Sequence, residues 1–563
     1  MISNSLFKIK SHLHFIEKII EEDIKNGFPI KKIKFRFPPE PNGFLHIGHI
    51  KAICLNFELS KKYKSSVNLR FDDTNPIGEN RNFIDSIKKD ILFLGFHWDH
   101  ESYASDYFPQ LYKWAIKLIK KNKAYVDDQS QNIIQFQRKN PFEIGIDSNY
   151  RSRSIEENLF LFERMKNGFF GEGSCVLRAK INMSSSNMNM RDPIMYRILR
   201  KKHHKTKYQW CIYPTYDWTH GLCDYIEQIS HSLCSLEFEN RRPLYNWYLD
   251  QIDIDNKEKI RPKQIEFSRL NLSHTITSKR KIQYLIEKKV IQYWDDPRIL
   301  TISGLRRKGY TSVALKNFIH QIGITKRNNI IDISFLEFWV RKHLNKIAYR
   351  VMVVLHPIQL IIDNYATNTT EWVETENNPE NSNFGNRKIP FSKFLYIEED
   401  DFLEKEKKNF FRLCIGKEVR LKNAYIIKAN SVIKNNEGKI KKIHCTYDPK
   451  SQYGKKNKIE EKERVKSTLH WVSIKHSFPI NINLYNPLFL KKNPDIDFYK
   501  YINPKSKYKI IGYAEPSLKK AKKGDHFQFQ RIGYFYVDKK IENDQIIFNK
   551  TVSIKNKWKK NEK

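Results

Sequence analysis

Two histidines three residues apart, His46 and His49, follow directly on the run Arg36-Phe-Pro-Pro-Glu-Pro-Asn-Gly-Phe-Leu. Side chains at that spacing share one face of a helix. A helix start also attracts anions, because its first N–H groups lack intrahelical acceptors and its dipole is positive there. A strand, a Pro/Gly turn and a helix opening on two imidazoles therefore make a candidate phosphate cradle, and Gly48 lets a flat ring approach the backbone. An ordinary helix start would read the same, so the assignment needs chemical partners elsewhere in the chain. One candidate is Thr277-Ser278-Lys279-Arg280, a polar cationic segment expected on a loop between a strand and a helix. With 101 Lys and Arg in 563 residues, such a string also reads as a solvated charge run. His231 and Cys234 have a helix-like spacing that would suit a metal, but no second pair completes four ligands, so they read as packing residues.

The elements that must hold these residues alternate. Ile33 to Phe37, His46 to Tyr63, Val67 to Phe71 and Asn82 to Leu94 read as strand, helix, strand and helix, the rhythm of a parallel α/β sheet. Phe108 to Tyr208 break it with Arg/Lys-rich helices and one strand-like run, Cys175 to Met183, as an insert would. Trp210 to His220, an apolar strand entering a helix, resumes the α/β character as far as Leu272. Apolar residues then recur at helical spacing (Ile282, Leu285, Ile286, Val290, and Val313 to Ile322). After Ala348 the period becomes two, in Arg350 to Pro357, Lys417 to Lys428 and Phe527 to Val537, which implies β-barrels. The expected organisation is an N-terminal helix over 1–30, half domains at 31–107 and 209–272 around an insert at 108–208, and a loop and helical domain at 273–345. Two barrels follow at 346–554 and a basic tail at 555–563, with Asn364 to Lys388 as a long polar loop.

At 563 residues the chain is too long for one core, and three to five domains are expected. A hydrophobic content of 40% with 13% aromatics argues for a globular protein. The net charge of +38 points to a polyanionic partner such as nucleic acid, although Lys, Asn and Ile abound throughout and compositional drift would raise it too. Seven scattered cysteines without a Cys-x-x-Cys pair indicate neither a disulfide framework nor a zinc knuckle, which fits a reducing cytoplasm. No apolar run is long enough to span a membrane, and Glu17, Glu21, Glu22 and Asp23 argue against a transit peptide.

Taken together with an insert between them, the two motifs resemble those of class I aminoacyl-tRNA synthetases. Within that class the chain resembles the glutamyl/glutaminyl subgroup on its glutamine-specific side, through Phe37 to Gly43, Asn68 to Pro76, Gly95 to Trp98 and His231 to Cys234. The likeness continues through Trp294 to Arg298, Gly304 to Arg307, Gly416 to Tyr425 and Phe527 to Arg531. It implies a Rossmann-type catalytic domain split by an acceptor-end-binding insert, then a small helical domain and two C-terminal β-barrels. The implied reaction joins L-glutamine to ATP, with Mg²⁺ accompanying the ATP and no metal held by protein ligands alone, and passes the acyl group to the 2′-hydroxyl of the terminal adenosine of tRNA(Gln). The resemblance also implies a monomer in the cytoplasm.

By the same resemblance, His46, His49 and Lys279 are catalytic, donating to charge that develops on the α-phosphate. Glu40, Pro41, Asn42, Gly48, Arg269, Leu270, Ser278 and Arg280 complete the ATP site, with Lys279 on a mobile loop. Asp72 holds the α-ammonium and Tyr216 meets the side-chain amide; Cys234 and Gln264 complete that pocket, with Arg36 and Glu40 at its mouth. Glutamate-using relatives carry Arg where this chain has Cys234, so the cysteine favours glutamine. Glu40, Ser235 and Asn240 fall to the acceptor end, and Arg350, Arg412, Arg420, Lys422, Gln528 and Arg531 to the anticodon. Each arginine reads equally as a solvated strand face on so basic a surface.

Some positions depart from the family's wording. Thr277 stands where Met is usual, Pro141 to Asp147 do not follow the segment whose apolar side chain parts the first base pair, and Asn240 and Lys422 replace an Asp and an Arg. Two rival readings remain: a glutamyl-tRNA synthetase of archaeal and eukaryotic type, and a non-catalytic tRNA-binding paralogue.

Overall fold

The computed structural model describes residues 13–252, 259–407, 410–453, 465, 467–494, 497–540 and 546–555; the first part of the expected N-terminal helix and residues 556–563 of the expected tail lie outside these. The chain divides into two compact units, 1–271 with 319–331, and 272–318 with 332–563.

In the first unit, strands Lys34–Phe37, Ser66–Phe71 and His100–Tyr103 run parallel, with Arg36 opposite Asn68 and Asn68 opposite His100. The first two are buried nearly end to end, as parallel strands covered by helices on both faces must be. The covering helices follow the sequence: Ile47–Tyr63 ends on Lys64 in the left-handed conformation, and Arg81–Phe93 starts on Asn80, whose side chain accepts the Asn82 N–H. A second parallel pair, His231–Ser235 and Lys263–Phe267, lies beside the first, where Ser230 N–H donates to the Lys34 carbonyl at 3.0 Å. The chain thus returns after the insert to lie beside the first strand, Lys34–Phe37. Helix Phe15–Lys25 precedes it, capped by a reciprocal His14–Glu17 pair and followed by Gly27 at φ +93°.

The insert carries a four-stranded antiparallel sheet of Ala124–Asp127, Val176–Ala179, Ile194–Ile198 and Ile212–Pro214. Two expectations change here. The run from Cys175 to Met183 forms only a four-residue strand, because buried Arg178 turns to Asp127 and the Asp192 carbonyl and the ladder shifts register beside it. The apolar strand before helix Tyr216–Ile226 pairs antiparallel with the insert's sheet, Ile212 opposite Ile198, instead of resuming the parallel one. One apolar core runs without a break from Ala104 through Phe162 and Trp218 to Ile252, so insert and returning half share an interior.

The second unit contains helices Lys279–Glu287, Ile302–Arg307 and Ile333–Ile347 and two seven-stranded, barrel-like sheets with separate apolar cores. The expected strand through Arg350 to Pro357 is broken at Met352, whose N–H donates to the Glu515 carboxylate at 2.8 Å; Tyr349–Val351 and Val353–Val354 then join different partners. The Asn364 to Lys388 stretch is not a long loop. It contains a hairpin strand, Glu371–Glu376, paired with Asn386–Phe391, because Val373 and Thr375 alternate into the core against exposed neighbours. Among the described residues, no helix is long and apolar enough to cross a membrane.

Candidate functional site

His46 caps the helix Ile47–Tyr63, and the two imidazoles close on one another there, their centroids 4.0 Å apart. His46 Nδ1 accepts the Gly48 N–H at 3.1 Å, and His49 Nδ1 accepts the His46 N–H at 3.0 Å. Both Nδ1 atoms are therefore acceptors, which places the proton of each neutral ring on Nε2. The expectation of bare amides is corrected: those of His46 and Gly48 are engaged by the histidines, and each ring carries its N–H at Nε2. Gly48 serves a close approach, but the ring is His46's own, since a Cβ at residue 48 would stand 2.8 Å from His46 Cε1. The Leu270 carbonyl lies 3.8 Å from that same point.

Lys51 went unread in the sequence. Its buried ammonium donates to the Ser268 carbonyl at 2.8 Å and hydroxyl at 3.0 Å, tying the segment before Arg269 and Leu270 to the histidine helix. Burial lowers its pKa to about 8. The available signal was one lysine on a helix face otherwise made of Ile47, Ile50 and Cys54. Arg269 donates to Glu237 at 2.7 Å, and Ser235 donates to the same carboxylate at 2.9 Å. Glu40 is exposed and pairs with the Asn42 amide; Pro41 is buried and its carbonyl accepts the Asn80 N–H.

The residues assigned to the amino acid come from the parallel strands (Arg36, Cys234, Gln264), the turn after the second strand (Asp72) and the start of helix Tyr216–Ile226 (Tyr216). Asp72 is buried; Oδ1 accepts Arg70 Nε–H at 2.9 Å while buried Oδ2 has no hydrogen-bond partner. Burial, opposed by Arg70, pushes its pKa up to about 6. Arg36 does not stand at a pocket mouth. It is fully buried and donates to Asp224, the Leu233 carbonyl, Ser232 and His220 Nε2. A guanidinium cannot accept, so His220 Nε2 is the acceptor and Nδ1 carries the proton that it gives to the Tyr216 oxygen at 3.0 Å. Burial holds the His220 pKa down to about 3, keeping the ring neutral. The Tyr216 hydroxyl proton is left to be given to a ligand.

Cys234 is buried on strand His231–Ser235 opposite Glu266, and burial pushes its thiol pKa up. The helix-like spacing of His231 and Cys234 falls on a strand, so the two face opposite sides; His231 Nε2 meets Asp23 at 3.2 Å. Gln264, opposite Ser232, donates to the Phe238 carbonyl and to Glu266. Asp224, Arg70 and His220 were missed because Arg70 comes from a strand and the other two from a helix some 150 residues later. Among the described residues one metal-like cluster occurs, Asp73, His203 and His204. His203 Nδ1 accepts two backbone N–H groups, so its Nε2 is protonated toward the Asp73 carbonyl and is no ligand.

Ser278 caps helix Lys279–Glu287, so Lys279 and Arg280 open a helix in the second unit and do not lie on a loop. Ile282 and Leu285, buried three apart, draw the helix back to this point. Asn240 is exposed and its carbonyl accepts from Asn187 and Asn189. Nearby, the unorthodox segment after Pro141 exposes Phe142 (97%) and Ile144 (71%).

In the barrels, a cavity of about 1080 Å³ brings together Arg350, Arg412, Lys422, Gln528 and Arg531. Four of these side chains are aimed by neighbours. Asp401 holds Arg412 and Arg531, while Asn345 Oδ1 accepts from Arg350 and from Tyr534, which in turn accepts from Gln528. The exposed ring of Trp372 lines the same cavity. Arg420 stays out of it: mostly buried, it donates to the Ala424 and Ser451 carbonyls and secures a turn.

Family models described as tRNA synthetases class I (E and Q) match this chain: a catalytic domain over residues 32–346 and anti-codon binding domains over 348–448 and 468–538. A glutamine--tRNA ligase of Clostridium kluyveri is 46% identical over 97% of this chain and 98% of its own length. One from Cronobacter sakazakii is 48% identical with the same coverage. Among solved structures, a glutamate tRNA ligase from Elizabethkingia meningosepticum is 15% identical at a TM-score of 0.41, covering 56% of this chain and 70% of that one.

Proposed function

The chain belongs to the class I tRNA synthetases of the E and Q group, and from that premise we propose that it ligates L-glutamine to tRNA(Gln) at the expense of ATP. In the first step the glutamine α-carboxylate attacks the α-phosphate of ATP in line, and pyrophosphate leaves. Asp72 Oδ2 takes the α-ammonium. The Nε2–H groups of His46 and His49 donate to the phosphate, where donors aimed at developing charge contribute most. Mg²⁺ enters with the ATP and neutralises its phosphates. Lys279 and Arg280 are assigned to the triphosphate by their motif alone. In the second step the terminal 2′-hydroxyl attacks the acyl carbon and AMP leaves; no named residue is required as a base.

The observation that carries glutamine over glutamate is the pocket's neutrality: Cys234 is a buried thiol, His220 is neutral, and Arg36 is already paired with Asp224. A site that offers hydrogen bonds without a spare cation rejects a carboxylate through its desolvation. The barrel cavity supports anticodon reading, with cations for phosphate and Trp372 for a splayed base. Exposed Phe142 and Ile144 support a hold on the acceptor end. The scattered cysteines, with no Cys-x-x-Cys pair among them, support a reducing, cytoplasmic setting, and a monomer is the expected assembly. Steady-state aminoacylation of a tRNA(Gln) transcript with labelled glutamine or glutamate tests the reading: glutamine should be charged and glutamate should not, and an anticodon-swapped transcript should lose charging.

A further inference from the structure

Asp224 is fully buried, and four donors converge on it. Oδ1 accepts Arg36 Nε–H at 2.9 Å and Arg70 Nη1–H at 2.8 Å; Oδ2 accepts the hydroxyls of Ser232 at 2.6 Å and Tyr245 at 3.0 Å. Both arginines are themselves fully buried. Through Arg70 this carboxylate reaches Asp72, and through Arg36 it reaches His220 and Tyr216. One carboxylate thus stands behind both ends of the amino-acid pocket.

The charges around it matter more than the bonds. Two guanidinium groups, Arg36 and Arg70, face three carboxylates, Asp72, Asp224 and Glu227, whose nearest atoms lie 2.8 to 3.8 Å away. Glutamine adds an ammonium at Asp72 and a neutral amide at Tyr216. Glutamate would add a further carboxylate where Arg36 and Arg70 are already matched and Arg241 and Arg242 are paired with Asp217 and Glu266, and a buried charge without a partner is costly.

We propose that Asp224 is a specificity-determining positioning residue: by neutralising Arg36 from behind, it withholds that guanidinium from a glutamate side chain. This deepens the glutamine reading above and rests on it. Tyr245 and Ser232 serve the arrangement by orienting the carboxylate, whereas its charge does the discriminating.

The test compares kcat/KM for glutamine and glutamate in aminoacylation by the full-length protein with tRNA(Gln). A wild-type preference for glutamate would overturn the glutamine reading, and this proposal with it. Given a glutamine-preferring wild type, Asp224→Asn should lower the glutamine-to-glutamate ratio about tenfold or more, chiefly through a lower KM for glutamate, while Asp224→Glu restores it to within about threefold. Equal losses with both amino acids in a folded Asp224→Asn protein would reduce the residue to a structural role and overturn the proposal. Because Asp224→Asn strands two buried arginines and risks misfolding, Arg36→Gln supplies an independent reading of opposite sign. Removing the guanidinium leaves net negative charge, so the ratio should rise by about tenfold. An unchanged or lower ratio in Arg36→Gln overturns the proposal.

Discussion

In the proposed reaction His46 and His49 act as donors because of which nitrogen the backbone has taken. With both Nδ1 atoms accepting N–H groups, neither ring can serve as a base through Nε2 without first losing its proton, whereas both can donate at once. Gly48→Ala should therefore be a functional lesion more than a structural one. The new Cβ meets His46 Cε1 at 2.8 Å and must push the ring aside. Pyrophosphate exchange should fall by about 10- to 100-fold, of the order of a lost oriented donor, while the melting temperature stays nearly constant. Asp72 makes a second prediction. Its pKa is raised to about 6, so it is a carboxylate at neutral pH and accepts a proton as the pH falls through 6. The protonated form loses its attraction for the α-ammonium, so KM for glutamine should climb by roughly tenfold per unit below pH 6, with KM for ATP following less steeply. A flat KM(Gln) profile between pH 5 and 8 would remove Asp72 from that role. Arg36 marks the limit of the sequence at this scale. Its membership of a motif was legible, but its burial depends on Asp224, 188 residues later, which no spacing rule connects to it.

Elements with strong local punctuation were legible almost to the residue. The helix after His46 and the helix after Asn80 begin at polar caps and follow turns rich in Pro, Gly and Asn, so local chemistry and tertiary demand agree. Elements whose identity depends on distant partners were not. Asn-rich composition concealed a hairpin whose buried Val373 and Thr375 reveal themselves only once Ile389 lies opposite. Lys279 and Arg280 were read as part of a loop, although Ser278, which could be a turn residue or a cap, starts a helix at Lys279. Gly309 offers a test of how helices and barrel fit within the second unit. It follows helix Ile302–Arg307 at φ +92°, and a Cβ there would lie 2.4 Å from Tyr536 Cβ and 2.6 Å from Thr551 Oγ1. Gly309→Ala should cost roughly 2 to 5 kcal/mol from backbone strain and overpacking together. Differential scanning calorimetry should show the transition of this unit moved down by about 5 to 10 °C; an unmoved transition would mean that the strand pair relaxes freely.

Across the whole molecule, the +38 charge and the match of family models to both units describe a protein made for a large polyanion. The charge alone could not say where the polyanion is read. In the proposed reading it is read at the barrel cavity, which gathers Arg350, Arg412, Lys422, Gln528 and Arg531 from positions up to 181 residues apart in sequence, four of them aimed by neighbours: Asp401 for Arg412 and Arg531, and Asn345 for Arg350 and, through Tyr534, Gln528. Lys422, without such a clamp, suits a phosphate. Lys422→Ala should weaken tRNA binding for all anticodons alike and reduce the salt slope of log Kd by about 0.7 to 0.9. Arg531→Ala, freeing Asp401, should instead discriminate among anticodon variants. The central claim remains the amino acid. Pyrophosphate exchange with each amino acid, in the presence of tRNA, tests it most directly: glutamine should support exchange and glutamate should leave it at background, while exchange with glutamate and none with glutamine would contradict the account.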